Sequence, residues 1–548
     1  MLSLFLRSAL PATLLAAGLF AGACGGAGGP SPTSTAEPRA TGTAAASPVT
    51  PQGSLELAAT PAVSVDMASA SPLLTVLAAD PLDFQTGISS LAAGDFNGDG
   101  IGDLLIGLSF GDGPDNSRED AGEAFVIFGR RGLDGTIDLA KEQAGLHILG
   151  ALPGDNLGFG VASGDLNGDG IDDVIVGAPG SNGLKNLRTD LGEAYVIFGR
   201  SDLGGTIDTL KEEQDFTFMP AEGFTRVGTS FAVADVNGDG ISDLVAGGPF
   251  GGRKPGAPVG GTRTTLGEVY VVFGSRTLKG QVSVARDEQN FTLSGARELD
   301  AFGVAVAAGD VNGDGVADII VGSRGYDGTD GTKDESGAVF VFFGSRGLSG
   351  KRGVGDADFT LLGADAGDGL GETVASGDFN DDGLADIVAV ARTGDGPDGR
   401  RSESGEAHVV FGASSLSGSL DLASGKADAA IYAVDPASLM AIAVATGDLD
   451  GDGRDDLVLG APLASGAGRS LDGVVFVVFG DGLTGTIDLR HDVKGRPFIF
   501  GAAGGDALGT GAAIGDINDD GHPELMLAAA GPQDPKAGPG KIYAISLP

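Results

Sequence analysis

The chain has 548 residues, too many for one ordinary compact domain unless it is built from repeats. It carries 34 basic and 75 acidic side chains, a net charge of −41. Such a surface repels nucleic acid and anionic lipid headgroups, which excludes DNA, RNA and electrostatic membrane docking. Hydrophobic residues make up 41% of the chain, enough for a core and too many for a disordered acidic protein. The 98 glycines have no collagen period and recur beside turns, as a β-protein with many tight turns requires.

Residues 1–23 read as a secretion signal. Arg7 supplies a short positive region, and the apolar run from Leu10 to Phe20 is too short to span a bilayer. The small residues Ala21, Gly22 and Ala23 then precede Cys24. Cys24 is the only cysteine, so no disulfide can form within the chain. This segment resembles a bacterial lipoprotein signal, in which the cysteine is lipidated and becomes the mature N-terminus. Leucine is commonest three places before that cysteine, and here the place holds Ala21. The alternative is an ordinary cleaved signal with a free cysteine nearby. Residues 24–70 are rich in Gly, Pro, Ser, Thr and Ala and have no periodic apolar face. They read as a disordered tether, with a mean span of roughly 40 Å.

The folded part is expected over 71–548. One acidic pattern recurs there: DFNGDGIGD from Asp95, DLNGDGIDD from Asp165, DVNGDGISD from Asp235, DVNGDGVAD from Asp310, DFNDDGLAD from Asp378, DLDGDGRDD from Asp448 and DINDDGHPE from Asp516. Successive copies lie 70, 70, 75, 68, 70 and 68 residues apart. A marker such as GEAYVIFG from Gly192 follows each copy. Every unit has four short β-type runs: small residues before the acidic loop, an apolar run after it, the marker, and a run such as FTLSG from Phe291. Four strands per unit, repeated radially, predict an all-β, seven-bladed propeller of four-stranded antiparallel blades. A series of sandwiches and a linear solenoid are the competing folds, and the long four-strand unit argues against the solenoid. The chain enters on a fourth-type strand from Leu73 and leaves on a third-type strand from Lys541. The N-terminal strand is therefore expected to join the last blade and close the ring.

The unit resembles the FG-GAP repeat of integrin α-subunits. Phe159-Gly160 and Phe302-Gly303 carry the FG element, and Gly177-Ala178-Pro179 and Gly460-Ala461-Pro462 the GAP element. Leu370-Gly371 and Leu508-Gly509 depart from the first, and Gly247-Gly248-Pro249 from the second. The resemblance implies a seven-bladed propeller with calcium bound in the acidic loops between the first and second strands.

The loops carry that chemistry in their own residues. Calcium takes six to eight oxygens at about 2.3–2.6 Å. Oxygen side chains at loop positions 1, 3 and 5, a carbonyl at 7 and a carboxylate at 9 can wrap one ion. These are Asp95, Asn97, Asp99, Ile101 and Asp103 in the first loop, and Asp165, Asn167, Asp169, Ile171 and Asp173 in the second. The third has Asp235, Asn237, Asp239, Ile241 and Asp243, and the fourth Asp310, Asn312, Asp314, Val316 and Asp318. The fifth has Asp378, Asn380, Asp382, Leu384 and Asp386, and the sixth Asp448, Asp450, Asp452, Arg454 and Asp456. The seventh has Asp516, Asn518, Asp520, His522 and Glu524. Position 6 is glycine in all seven. Hairpin turns alone would explain the glycine and one neighbour, but not oxygens at four spaced positions seven times over. Up to seven structural calcium ions are therefore expected. The sixth loop is the most acidic, and the seventh departs most, ending in Glu524 after Pro523. Magnesium fits less well, because it prefers fewer protein ligands and retained water.

Strand alternation puts all seven acidic loops on one face and the long connections between second and third strands on the other. Arg253, Lys254, Arg263, Arg400 and Arg401 fall in those connections. In integrins the corresponding face helps bind ligand, so the resemblance implies a protein or glycan ligand here, with membrane contact only through the lipid anchor. The expected function is a calcium-binding adhesion or interaction module facing the cell exterior or periplasm. The alternatives are a propeller-scaffold hydrolase or lyase and a glycan-binding lectin. The histidines His147, His408, His491 and His522 occupy different units and strand positions, which suggests no catalytic triad or zinc cluster. The chain has no Trp, the usual sugar platform, which weakens the lectin reading.

Overall fold

The computed structural model describes residues 64–78, 89–113, 116–141, 143–183, 191–220, 225–251, 266–286, 288–435, 437–531 and 539–547. The signal, Cys24 and the tether up to residue 63 lie outside them. Seven antiparallel sheets follow one another around a ring, numbered here as blades 1–7 after their acidic loops. In blade 2 the first four strands are Val161–Gly164, Asp173–Ala178, Glu193–Ile197 and Phe216–Met219. The first strand carries small, half-buried residues because it crowds toward the axis. The second is buried along its whole length, which explains its unbroken apolar run DVIVGA.

Each blade has five strands rather than the expected four. The fifth is donated by the next unit and runs parallel to the fourth: Gly205–Asp208 of unit 2 pairs with Leu146–Leu149 of blade 1. Gly280–Ser283, Gly350–Gly353, Gly418–Asp421 and Gly485–Asp488 do the same for blades 2 to 5, and Gly135–Asp138 for blade 7. These runs are short and polar on their outer half, so they carry no alternating signal in the sequence.

The ring closes as expected and then further. Leu74–Leu77 pairs antiparallel with Lys541–Ile545 and supplies the fourth strand of blade 7. Ser64–Asp66 pairs parallel with Phe498–Phe500 and supplies the fifth strand of blade 6. The fold therefore reaches into the stretch assigned to the tether, and Met67 is buried in one core cluster with Val475, Ile499 and Tyr543.

The cores lie between adjacent blades. Leu105, Val126 and Ile148 of blade 1 pack on Val174, Val176 and Tyr195 of blade 2. The glycines at the blade interfaces are steric requirements. A Cβ on Gly107, Gly177, Gly247, Gly322 or Gly460 would lie 2.0–2.3 Å from the carbonyl oxygen of Gly158, Gly228, Gly303, Gly371 or Gly509 of the next blade. This contact corrects the register of one motif. The counterpart of Phe302-Gly303 in blade 2 is Leu157-Gly158, because Gly158 meets Gly107 as Gly303 meets Gly247. Phe159-Gly160 lies two residues further along.

Candidate metal centres and the opposite face

The seven acidic loops lie between the first and second strands of every blade, all at one end of the ring. Their backbone is set by two left-handed residues. Position 6 has φ between +83° and +92° in all seven, and an added Cβ there meets nothing within 4 Å. Glycine is needed for the angle, not for space. Position 4 is also left-handed: Gly98, Gly168, Gly238, Gly313 and Gly451 at φ +70° to +77°, and Asp381 and Asp519 at +58°. The sequence showed this second requirement as a Gly or Asp at position 4.

The side chains fold inward on their own backbone. In the first loop Asp95 Oδ1 accepts from Gly98 N–H (2.7 Å) and Asp99 N–H (3.1 Å), and its Oδ2 from Gly100 N–H (2.8 Å). Asn97 Oδ1 accepts from Asp99 N–H, and Asp99 Oδ1 from Ile101 N–H, both at 2.9 Å. Asp103 is fully buried and accepts from Phe96 N–H (2.9 Å) and Gly129 N–H (2.8 Å). Asp173, Asp243, Asp318, Asp386 and Asp456 repeat both bonds in their blades.

Burial pushes the position-9 carboxyls of Asp103, Asp173, Asp243, Asp318 and Asp386 up to about 7, and that of Asp456 up to about 6. The other carboxylates of each loop add to the rise, and the backbone N–H donors hold it back. No Lys or Arg is among the main influences on any of them. In the sixth loop positions 1, 3 and 9 converge: oxygens of Asp448, Asp450 and Asp456 lie within 4.8 Å of one another. Asp452 at position 5 is outside that group, its Oδ1 accepting from Arg454 N–H at 2.9 Å. In the fifth and seventh loops the position-3 oxygens, Asn380 Oδ1 and Asn518 Oδ1, are buried without a hydrogen-bond partner. A hard divalent cation fits this set: oxygen-only donors, buried carboxylates clustered with like charges, and orphaned amide oxygens.

The seventh loop reaches the same geometry by another route. Glu524 is fully buried where the other loops place Asp, and its longer arm meets Asn518 Nδ2 at 2.7 Å and Ile517 N–H at 3.3 Å. Ser546 Oγ donates to it at 3.1 Å. Neighbouring loops are also stitched together. The position-8 N–H groups of Gly102, Asp172, Ala317, Ala385 and Asp455 donate to the position-1 carbonyls of Asp516, Asp95, Asp235, Asp310 and Asp378 at 2.9–3.1 Å. Pro523 has no N–H and breaks this chain between loops 6 and 7. Asp172 and Asp455 add a carboxylate that accepts from the N–H of Asp95 and Asp378, a link that a reading of single loops missed.

On the opposite face the long connections are ordered by a shared design. Asp112, Asp327 and Asp395 each accept at Oδ1 from the N–H eight residues on, at 2.9–3.0 Å. Each loop then turns one cation back onto the donated strand. Arg118 forks onto Asp208 at 2.8 Å and donates to Gly150 O at 2.7 Å. Lys333 reaches Asp421 and Gly363 O, and Arg401 reaches Asp488 and Ala433 O. Arg469 reaches Asp66 and Gly501 O and so pins the N-terminal strand. Arg401 is thereby used inside the fold, whereas the Arg400 side chain is 84% exposed. Arg253, Lys254 and Arg263 lie outside the described residues. His147 and His408 each face a glutamate, Glu123 at 3.2 Å and Glu406 at 3.3 Å, in different blades.

Comparison with known proteins agrees with this architecture. Residues 88–127, 157–197, 227–272, 302–342 and 440–478 match the FG-GAP repeat. The second match begins at Leu157, in the register given by the interblade glycines. The chain is thus a seven-bladed propeller, and a stretch in five of its blades matches the FG-GAP repeat. It is 37% identical over 177 residues to the phosphatidylinositol-glycan-specific phospholipase D of Bos taurus, covering 32% of this chain and 19% of that one. It is 32% identical over 246 residues to integrin alpha pat-2 of Caenorhabditis briggsae, covering 42% and 17%, and 31% identical over 184 residues to integrin alpha-PS5 of Drosophila melanogaster, covering 33% and 16%. The matches span about a fifth of these relatives or less.

Proposed function

We propose that the protein is a calcium-stiffened interaction module, held outside the cytoplasm by a lipid on Cys24 and presenting the face opposite its acidic loops to a protein or glycan ligand. The observation that carries the calcium reading is the set of buried position-9 carboxylates whose main neighbours in charge are other carboxylates of the same loop. In each loop the position 1, 3, 5 and 9 oxygens and the position-7 carbonyl would hold the ion. The ion would supply positive charge that ties the first and second strands of a blade together; it has no reacting role. The integrin relatives favour binding over turnover, and the phospholipase activity in another relative's name stays with that protein.

Calorimetric titration of chelator-stripped protein with calcium is the direct test. Six or seven sites are expected, together with a large rise in thermal midpoint, and the absence of heat and of any midpoint shift would end the calcium reading. Radiolabelled fatty acid should be incorporated into the wild type in a bacterial host and not into Cys24→Ser. Equal labelling of the two would remove the anchor.

A further inference from the structure

The residue at position 3 divides the acidic loops into two kinds. It is asparagine in six of them and Asp450 in the sixth loop. In five of the asparagine loops the side-chain amide is turned onto the position-9 carboxylate. Asn518 Nδ2 donates to Glu524 at 2.7 Å, Asn237 Nδ2 to both oxygens of Asp243 at 2.9 and 3.0 Å, and Asn312 Nδ2 to both of Asp318 at 3.1 Å. Asn167 and Asn97 make the same approach to Asp173 and Asp103 at 3.4 and 3.5 Å. An amide N–H there sets a partial positive charge against a buried carboxylate and so does part of what an ion would do. Calcium must break that contact, because it takes the amide oxygen and not the nitrogen. In the fifth loop no such contact forms among the described residues, and Asn380 still brings no charge.

Asp450 has no N–H to offer. It accepts from Asp452 N–H at 3.1 Å, and it closes on Asp448 and Asp456 until oxygens of all three lie within 4.8 Å of one another. Among the described residues no other three carboxylates come so close. Arg454 follows at position 7, but its charge is not among the main influences on Asp450 or Asp456. Two effects therefore favour a cation at loop 6. One more full negative charge faces the ion, and no amide contact has to be broken. Calcium loops are tuned over orders of magnitude by the number of charged ligands.

We propose that loop 6 is the protein's primary calcium site, set apart by Asp450, and that it fills ahead of the six asparagine loops. The proposal rests on the calcium reading and ranks its sites. The full chain, stripped with chelator and titrated with calcium by calorimetry, should take up one equivalent with a dissociation constant ~10-fold or more below that of the others. Asp450→Asn should move that equivalent into the weaker class and leave the total unchanged. Asn167→Asp, the reverse exchange in loop 2, should create a second tight equivalent. Thermal midpoints give an independent readout whose sign depends on calcium. In chelator Asp450→Asn should hold or raise the midpoint, because one of three crowded carboxylates is gone, and Asn167→Asp should lower it. With one equivalent of calcium the wild type should gain more in midpoint than Asp450→Asn. A tight equivalent that survives in Asp450→Asn, none added in Asn167→Asp, or a fall in the chelator midpoint of Asp450→Asn would overturn the proposal. If calcium binds the wild type in a single class, only the ranking falls. If none binds, the calcium reading falls and the ranking with it.

Discussion

Replacing Asp173 by alanine separates the two roles of a position-9 carboxylate. In the wild type this fully buried side chain accepts from Leu166 N–H and Gly199 N–H, both at 2.9 Å. Alanine leaves two buried backbone donors unpaired, at about 1–3 kcal/mol each, so Asp173→Ala should lose about 2–6 kcal/mol in chelator alone. At free calcium ten times the dissociation constant a site adds about 1.4 kcal/mol, and that increment should vanish as well. Asp169→Ala is the matched control. Its side chain is exposed and accepts only from Ile171 N–H at 3.0 Å. It should cost about 0.5–1.5 kcal/mol in chelator and still forfeit one calcium site. The assay is urea unfolding of both variants with chelator and with saturating calcium, alongside calcium stoichiometry by calorimetry. If Asp173→Ala lost less than about 1 kcal/mol in chelator, the hydrogen-bonding account of position 9 would be wrong. An unchanged stoichiometry in Asp169→Ala would refute the assignment of position 5 as a ligand.

Three other outcomes are expected. The position-9 acids have folded pKa values raised to about 6–7, so without calcium they stabilise the fold below their ordinary value near 4 and lose that contribution as pH rises through 6–7. Calcium needs them ionised, so its affinity should rise over the same window, and titrations at pH 5.5 and 7.5 check both signs. Arg469 holds the Asp66 carboxyl below its usual value. Asp66→Asn should therefore cost about 1 kcal/mol at neutral pH and less as pH falls through the depressed value, and limited proteolysis should cut first in the N-terminal segment. Gly177→Ala would place a Cβ 2.2 Å from Gly228 O and should cost more than about 2 kcal/mol, whereas Gly132→Ala, at φ +66° in open space, should cost about 1 kcal/mol by thermal denaturation.

Seven blades, the closing strand from Leu73 and the acidic loops were legible because each recurs with a constant spacing and a chemical signature. The donated strands were not, because GTID-type runs bury too little to show a period, and their partner strand is some 60 residues away in sequence. For the same reason the boundary near residue 70 missed Ser64–Asp66, whose pairing with Phe498–Phe500 is visible only once the ring is closed. Phe159-Gly160 looked like the motif by letters, while Leu157-Gly158 holds the position by packing. At the acidic loops the spacing grouped the oxygens without separating them, whereas in the sixth loop the structure turns position 5 to its own backbone and brings positions 1, 3 and 9 together. The basic residues of the opposite face were read as a set, and only geometry separates Arg401, turned onto Asp488, from Arg400, which faces solvent.

The donated strand changes what counts as an independent part. Each blade's outer edge belongs to its successor, and the last two edges belong to the entering chain, so neighbours overlap like roof tiles laid in a circle. A fluctuation that lifts one tile uncovers the rim of another. Native-state hydrogen exchange should therefore give one shared opening free energy for the second strands of all seven blades instead of a graded series from the seam inward. A lesion in a single blade would be felt on both sides of it, and the protein would behave mechanically as a hoop without a weakest link at the place where its two ends meet.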